Sequence, residues 1–268
     1  MLCADNVGLS IGPARLVDNV SLAVDAGEVL VIIGPNGAGK SSLLRILSGE
    51  RRPCAGRIEM AGRPLGDWRA KAAARRRAVL SQSSDLRFPF TVREVVLIGR
   101  TPHLNGGESI RDEGVVDAAM KAAEVTHLGR RSYPTLSGGE QQRVHLARVL
   151  AQIWNEPEEG GTRYLLLDEP TSNLDVRHQH LTMRLARSMA GQGVGVIAVL
   201  HDFNLAAMYA DRIAVLRNGT LAEVGIVREV LRADMFSQVF GVDVAVMDHP
   251  KADCPLIVDM AQSGTAIP

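Results

Sequence analysis

The run Val29-Leu30-Val31-Ile32-Ile33-Gly34-Pro35-Asn36-Gly37-Ala38-Gly39-Lys40-Ser41-Ser42 constrains this chain more than any other stretch. An apolar, mostly β-branched segment ends in a glycine-rich turn, and Leu43, Leu44, Ile46 and Leu47 then follow at helical spacing. The turn fits G-x-x-x-x-G-K-[ST], the P-loop pattern. Glycines let the backbone curl until several N–H groups point inward, and the new helix adds the positive end of its dipole. Lys40 brings a cation for β- and γ-phosphates, and the Ser41 hydroxyl is placed to ligate Mg²⁺. A strand before and a helix after set the pattern apart from an ordinary glycine turn. Gly34, Pro35, Asn36, Gly37, Ala38, Gly39, Lys40, Ser41 and Ser42 read as a nucleoside triphosphate site.

Such a loop needs a parallel sheet around it, and 268 residues can bury one large α/β core. Thirty Lys+Arg balance thirty Asp+Glu, so no global field draws the chain to nucleic acid or anionic lipid. Cys3, Cys54 and Cys254 are scattered with no C-x-x-C spacing, which suits a reducing compartment and argues against a disulfide framework or zinc site. The first six residues lack the charged head and apolar stretch of a signal peptide. No apolar run approaches the ~20 residues that span a bilayer. A membrane role would therefore borrow its path from another polypeptide.

Three strand-like runs precede the P-loop turn, Cys3–Ser10, Leu16–Val24 and Val29–Ile33, with turn signals at Gly12-Pro13 and Asp25-Ala26-Gly27. The close spacing of the first two predicts an antiparallel layer beside the nucleotide sheet. Gly56–Ala61 reads as another strand, and Asp67–Arg77 as a basic helical stretch whose charges form a solvated face. From Thr91 to Ile153 the period is helical, a helical insertion in an α/β chain. Strand signals return at Tyr164–Leu167 and Val194–Leu200 around a helix from Val176 to Ala190, the alternation of a parallel sheet. Ile213–Leu216 and Thr220–Val224 flank Asn218-Gly219, a hairpin signal. Helical stretches Ile226–Leu231 and Asp234–Phe240 close the ordered part, and a partly loose tail is expected from His249.

Tyr164–Leu167 ends in Asp168-Glu169-Pro170. Ligands of a parallel sheet gather at the carboxyl ends of its strands, where the P-loop also lies. Asp168 is thus placed to hold Mg²⁺, largely through water, and Glu169 to polarise an attacking water. In Leu136-Ser137-Gly138-Gly139-Glu140, Ser137 and Glu140 stand at Ncap and N3 of a helix, a capping box. The two glycines cost about 1 kcal/mol each against Ala. Their return would be an unobstructed, N–H-rich helix start that can approach an anion. Taken alone, the segment supports an ordinary capped helix equally well.

Gly34–Ser42, Ser137–Arg143, Asp168–Asp175 and His201 together resemble the nucleotide-binding subunit of an ABC transporter, over about residues 2 to 248. The resemblance implies a P-loop NTPase core, mainly a parallel sheet flanked by helices, with an N-terminal antiparallel β layer and an inserted helical subdomain. It divides a single ATPase domain, 1–248, into a core (1–90 and 160–225), a helical signature subdomain (91–155) and C-terminal helices (226–241), with 249–268 as a tail. It also implies that two copies pair head to tail, so that Ser137, Gly138, Gly139 and Glu140 complete the ATP site of the partner's P-loop. By the same likeness Gln82 senses the γ-phosphate and Mg²⁺, His201 contacts the γ-phosphate and the attacking water, and Asp175 belongs to a loop that crosses the dimer interface. Asp175 would also cap the helix beginning at Val176. Where many relatives carry an aromatic that stacks on adenine, this chain has Ile11.

Within that family, Ile98–His103 and Leu146–Gln152 look like the ATPases of bacterial metal-chelate importers. The 155–163 loop, Val176–His180 and His201–Ala207 are most similar to haemin importers, while ferric siderophore and cobalamin importers share much of this. The resemblance therefore implies Mg²⁺-ATP hydrolysis, a homodimer on the cytoplasmic side of the inner membrane, two transmembrane permease subunits and a periplasmic haem-binding protein. His178 and His180 invite a haem- or metal-ligand role, but residues at i and i+2 do not share a helix face. A soluble ABC ATPase acting on DNA or ribosomes would be expected to carry a second cassette or a long coiled coil. A P-loop kinase would leave residues 136–143 unexplained.

Overall fold

The computed structural model describes residues 1–81, 88–104, 110–155 and 161–260. Its strands are β1 (Leu2–Ile11), β2 (Ala14–Val24), β3 (Val29–Ile33), β4 (Ala55–Met60), β5 (Arg63–Pro64), β6 (Arg77–Leu80), β7 (Tyr164–Asp168), β8 (Gly195–Val199), β9 (Arg212–Arg217), β10 (Thr220–Ile226), β11 (Val244–Asp248) and β12 (Pro255–Asp259). Its α-helices are α1 (Lys40–Leu47), α2 (Ala70–Arg76), α3 (Val92–Ile98), α4 (Ile110–Ala122), α5 (Gly138–Gln152), α6 (Val176–Gly191), α7 (Phe203–Tyr209), α8 (Val227–Val230) and α9 (Ala233–Phe240).

One sheet runs β10-β9-β3-β8-β7-β6 and is parallel except for β10. Every residue of β3, β7 and β8 is buried, as a parallel sheet covered on both faces requires. Alternate side chains supply two cores. Val29, Val31 and Ile33 face the core shared with α3 to α7, while Leu30 and Ile32 face the core shared with α1 and the second sheet. That second sheet, β2-β1-β4-β5, is the antiparallel layer expected from the early strand spacing, with the Gly56–Ala61 strand joining it as β4. Helix α1 lies between the two sheets. The Asn218-Gly219 hairpin forms with both residues at positive φ, 51° and 80°, as a tight hairpin turn of the favoured hand needs.

The helical insertion is built from α3, α4 and α5, which pack on one another and share the larger core. Thr91 caps α3 in a reciprocal box with Glu94. No helix among the described residues is long and apolar enough to cross a membrane.

Two expectations need correction. The basic stretch Asp67–Arg77 is not one solvated helix: a 3₁₀ turn over Leu65–Asp67 precedes α2, and Arg77 already belongs to β6. Arg69 and Lys71 are exposed, whereas Arg76 is buried against the Trp68 ring at 5.0 Å. Lys71 Nζ and Arg75 Nε donate to the carbonyls of Leu104 and Pro102, so this face holds the start of the helical insertion to the core. The tail from His249 is also not loose over its first part. Pro255–Asp259 pairs with Val244–Asp248, so a division at 248/249 cuts through a hairpin. Its outer residues are short alternations that carry little periodic signal by themselves, and its stability comes from packing on α7 and α9.

Candidate active site

The P-loop leaves β3 at Gly34, where φ is 155° and a Cβ would stand 2.2 Å from the Leu216 carbonyl oxygen on β9. At Gly39, the residue capping α1, φ is 97° and a Cβ would meet the Leu16 carbonyl oxygen at 2.3 Å. Only glycine fits at either end, because the loop is squeezed between two strands. Lys40 opens α1, and its ammonium donates to the carbonyls of Gly34 and Pro35 at 2.8 and 2.9 Å. The side chain thus folds back and closes the loop around itself. Burial holds the Lys40 ammonium below the usual lysine range, with Glu169 and Asp168 pulling the other way.

Leu16, Asn36, Gly37, Ala38, Gly39, Lys40, Ser41, Ser42 and Glu169 line an open cleft of about 210 Å³. Asp168 ends β7 and accepts a hydrogen bond from the Ser41 hydroxyl at 3.0 Å. Burial pushes its carboxyl above the usual aspartate range, against that hydrogen bond. Hydroxyl and carboxylate are hard oxygen donors, the set that Mg²⁺ selects, so Ser41 and Asp168 fit the ion. Glu169 follows with φ of 50°, a left-handed conformation that costs energy in any residue but glycine. This turn sends its carboxylate out of the strand direction to the imidazole of His201, Oε1 to Nε2 at 2.8 Å. The Ser172 hydroxyl and N–H hold the Glu169 carbonyl, at 2.8 and 3.2 Å.

The second group of expected residues lies elsewhere on the chain. Ser137 caps α5 in the predicted box: its N–H and hydroxyl donate to Glu140 Oε2 at 2.8 and 2.9 Å, and the Glu140 N–H returns to the Ser137 oxygen at 3.4 Å. These bonds hold the Glu140 carboxyl below its usual range. A Cβ at Gly138 would meet nothing within 4 Å, so packing does not demand glycine there. At Gly139 it would press on the Asn173 carbonyl at 3.1 Å. The bare position leaves the helix N–H groups open to an approaching anion. Asp175 caps α6, accepting from the His178 N–H at 2.9 Å and from His178 Nδ1 at 2.8 Å. The other His178 nitrogen meets the Arg143 guanidinium of α5. Ser137 to Glu140, Arg143, Asn173 to Asp175 and His178 line a separate cleft of about 570 Å³.

The structure therefore joins Lys40, Ser41, Asp168, Glu169 and His201 in one cluster and Ser137, Gly138, Gly139, Glu140 and Asp175 in another. The two clefts share no lining residue. Gln82 lies outside the described residues. Ile11 ends β1 at 57% exposed and does not line the P-loop cleft, whereas Leu16 does. Leu16 escaped sequence reading because its place depends on how β2 crosses above the P-loop. The Asp175–His178–Arg143 chain was likewise missed, since it ties residues of two helices. His178 and His180 do not converge: His180 Nδ1 pairs with the Tyr209 hydroxyl at 2.9 Å.

The chain is similar to known proteins over most of its length. A family described as ABC transporter matches residues 17–172. The hemin import ATP-binding protein HmuV of Gloeobacter violaceus is 51% identical over 268 residues, covering 100% of this chain and 97% of that protein. The protein of the same name from Nocardia farcinica is 50% identical over 92% of this chain and 83% of its own length. Among solved structures, an inward-facing metal-chelate-type ABC transporter superposes with a TM-score of 0.80 at 25% identity, over 98% of both chains. A dimeric bacterial ABC transporter cassette does so with a TM-score of 0.73 at 27% identity, over 84% of this chain and 98% of the other.

Proposed function

We propose, from the premise that the chain belongs to the ABC transporter family, that it is the ATP-hydrolysing subunit of a haem importer. Full-length identity near one half with hemin import ATP-binding proteins supports the cargo. One observation carries the mechanism: the chain bears two half-sites that share no residue, one built to cradle phosphates and one presenting a bare helix start. Two copies in head-to-tail array would set the Ser137–Gly138–Gly139 tip of each against the Lys40 loop of the other.

In that arrangement the P-loop N–H groups and Lys40 bind the β- and γ-phosphates. Ser41 and Asp168 would hold Mg²⁺, which would supply positive charge against the phosphates. Glu169 takes the proton of the attacking water, and His201 orients that carboxylate. A general base of this kind contributes ~10²–10⁴-fold. The Ser137 helix tip of the second copy adds N–H donors and the positive end of its dipole to the phosphate that departs. Closure on ATP and reopening after hydrolysis would drive two permease subunits on the cytoplasmic side of the inner membrane. A periplasmic haem-binding protein would deliver the cargo.

Mixing two variants tests the shared site. Lys40→Ala and Ser137→Arg should each be inactive, yet a heterodimer of the two holds one intact site. Recovered ATPase activity on mixing is the expected result; a mixture no better than its parts would refute sites shared between copies. For the cargo, vesicles containing this chain and its permease should accumulate haem with ATP. Accumulation of a ferric siderophore or cobalamin instead would reassign it.

A further inference from the structure

The helix that follows His201 is fastened from behind by the C-terminal part of the chain. Asp202 caps α7 through the Leu205 N–H at 2.9 Å, which fixes how the helix starts but not where it sits. The α7 side chains buried in the main core are Leu205, Ala206 and Ala207, two of them too small to lock the helix along its axis. At its far end Tyr209 meets His180 of α6, and two residues near its start tie it to the C-terminal part of the chain. The Phe203 ring stands edge-on to Phe236 and Phe240 of α9, with centroids 4.8 and 4.9 Å apart. The Asn204 amide pairs with the backbone of Ile257 in both directions, Nδ2–H to the carbonyl at 3.1 Å and Oδ1 from the N–H at 2.8 Å. Asn204 thereby acts as one more rung on the free edge of β12. The hairpin is held at its other end by Arg228, whose guanidinium bridges Asp248 and Asp253 at 2.7 Å each.

We propose that Asn204 is a positioning residue for ATP hydrolysis: the β11–β12 hairpin, through the Asn204–Ile257 pair, sets α7 and hence where the His201 imidazole meets Glu169. The inference rests on the reading of His201 as a group that orients Glu169. The His201–Glu169 hydrogen bond is 2.8 Å long, and such bonds weaken beyond about 3.2 Å. A shift of α7 by about half an ångström is therefore enough to carry this bond past its ordinary length and loosen Glu169. The Lys40 cradle is left in place, because α7 contributes no residue to the P-loop cleft.

The test breaks the same tie from both ends. Asn204→Ala removes both hydrogen bonds; Ile257→Pro removes the N–H donor on the strand edge that faces away from β11, where proline is tolerated, and Ile257→Ala, which trims the same buried side chain but keeps the N–H, serves as its packing control. Asn204→Ala and Ile257→Pro, each in the full chain, should lose kcat about tenfold, since misplacement near 1 Å costs as much as 10²-fold, while Ile257→Ala keeps the wild-type kcat and an equal loss there overturns the tie. KM for ATP should stay at the wild-type value. The double variant should fall no further than the worse single one, because both remove one interaction. Wild-type kcat in Asn204→Ala, a matching rise in KM, or losses that add in the double variant would each overturn the proposal. His201→Ala is measured alongside. Unchanged kcat there overturns the role of His201 itself, whereas a fallen kcat there beside a normal Asn204→Ala overturns only the tie.

Discussion

Glu169 Oε1 and His201 Nε2 meet at 2.8 Å although 32 residues separate them in the chain. The reason is register. β7 and β8 are parallel neighbours with Asp168 opposite Val199, so the residues just past each strand emerge side by side at one edge of the sheet. Glu169→Gln keeps the shape of the side chain and its hydrogen-bonding capacity but cannot take a proton. Turnover should drop by ~10²–10⁴-fold with ATP affinity retained. Light scattering in ATP should show an accumulated dimer. Near-normal turnover in the purified variant removes Glu169 from the role of base.

Lys40→Ala should act earlier, on binding. Its ammonium satisfies two loop carbonyls, at 2.8 and 2.9 Å, so the variant loses both a phosphate contact and a clamp on the loop. Charge-assisted bonds are worth about 1.5–3 kcal/mol each, which puts the loss of ATP affinity at about tenfold or more. Titration calorimetry reads it directly, and an unchanged Kd counts against the cradle.

Gly99→Ala separates local preference from packing. Gly99 ends α3 with helical φ, and helix propensity alone would credit alanine with about 1 kcal/mol. Yet a Cβ there would stand 2.2 Å from the Arg148 carbonyl oxygen on α5. Forcing α3 and α5 apart should cost about 1–3 kcal/mol, so the net sign is a loss. Thermal unfolding should show a lower Tm; a higher one would mean the helices part freely.

His103 gives the chain an acid-sensitive joint. Its Nε2–H donates to the Gln152 carbonyl at the end of α5, at 2.7 Å, and burial holds its pKa below the ordinary 6.5. The unfolded chain therefore takes up this proton first as pH falls. Stability from the buried neutral ring is complete above the ordinary value and is lost as pH falls through the depressed folded one. His103→Gln has no such proton to gain, so wild type should lose Tm more steeply on acidification than the variant. Parallel Tm curves across the histidine range would contradict this.

What could be read from residues in order was whatever local backbone chemistry dictates. Gly34 to Ser42 spell a phosphate loop because the curl, the cation and the hydroxyl must be consecutive. Ser137 with Glu140 spells a cap because both lie in one helical turn, and Asn218-Gly219 spells a hairpin because both residues accept positive φ. Leu16 at the P-loop cleft, Arg76 buried on Trp68, and Asn204 paired with Ile257 had no such signal. Each joins residues of separate turns or elements, and no local period encodes the partner.

The order of amino acids by itself determined the chemistry available to this protein: the loop that holds phosphates, the acids at a strand end, and the glycine-bare helix start. Those properties follow from backbone freedom and side-chain type within a few neighbouring residues. Only the tertiary structure decided which of them meet. The parallel register of β7 and β8 brings Glu169 to His201, while the helical insertion carries Ser137 to a cleft of its own. Such meetings are set by how sheets and helices bury their apolar faces, and that packing is settled by the whole chain at once.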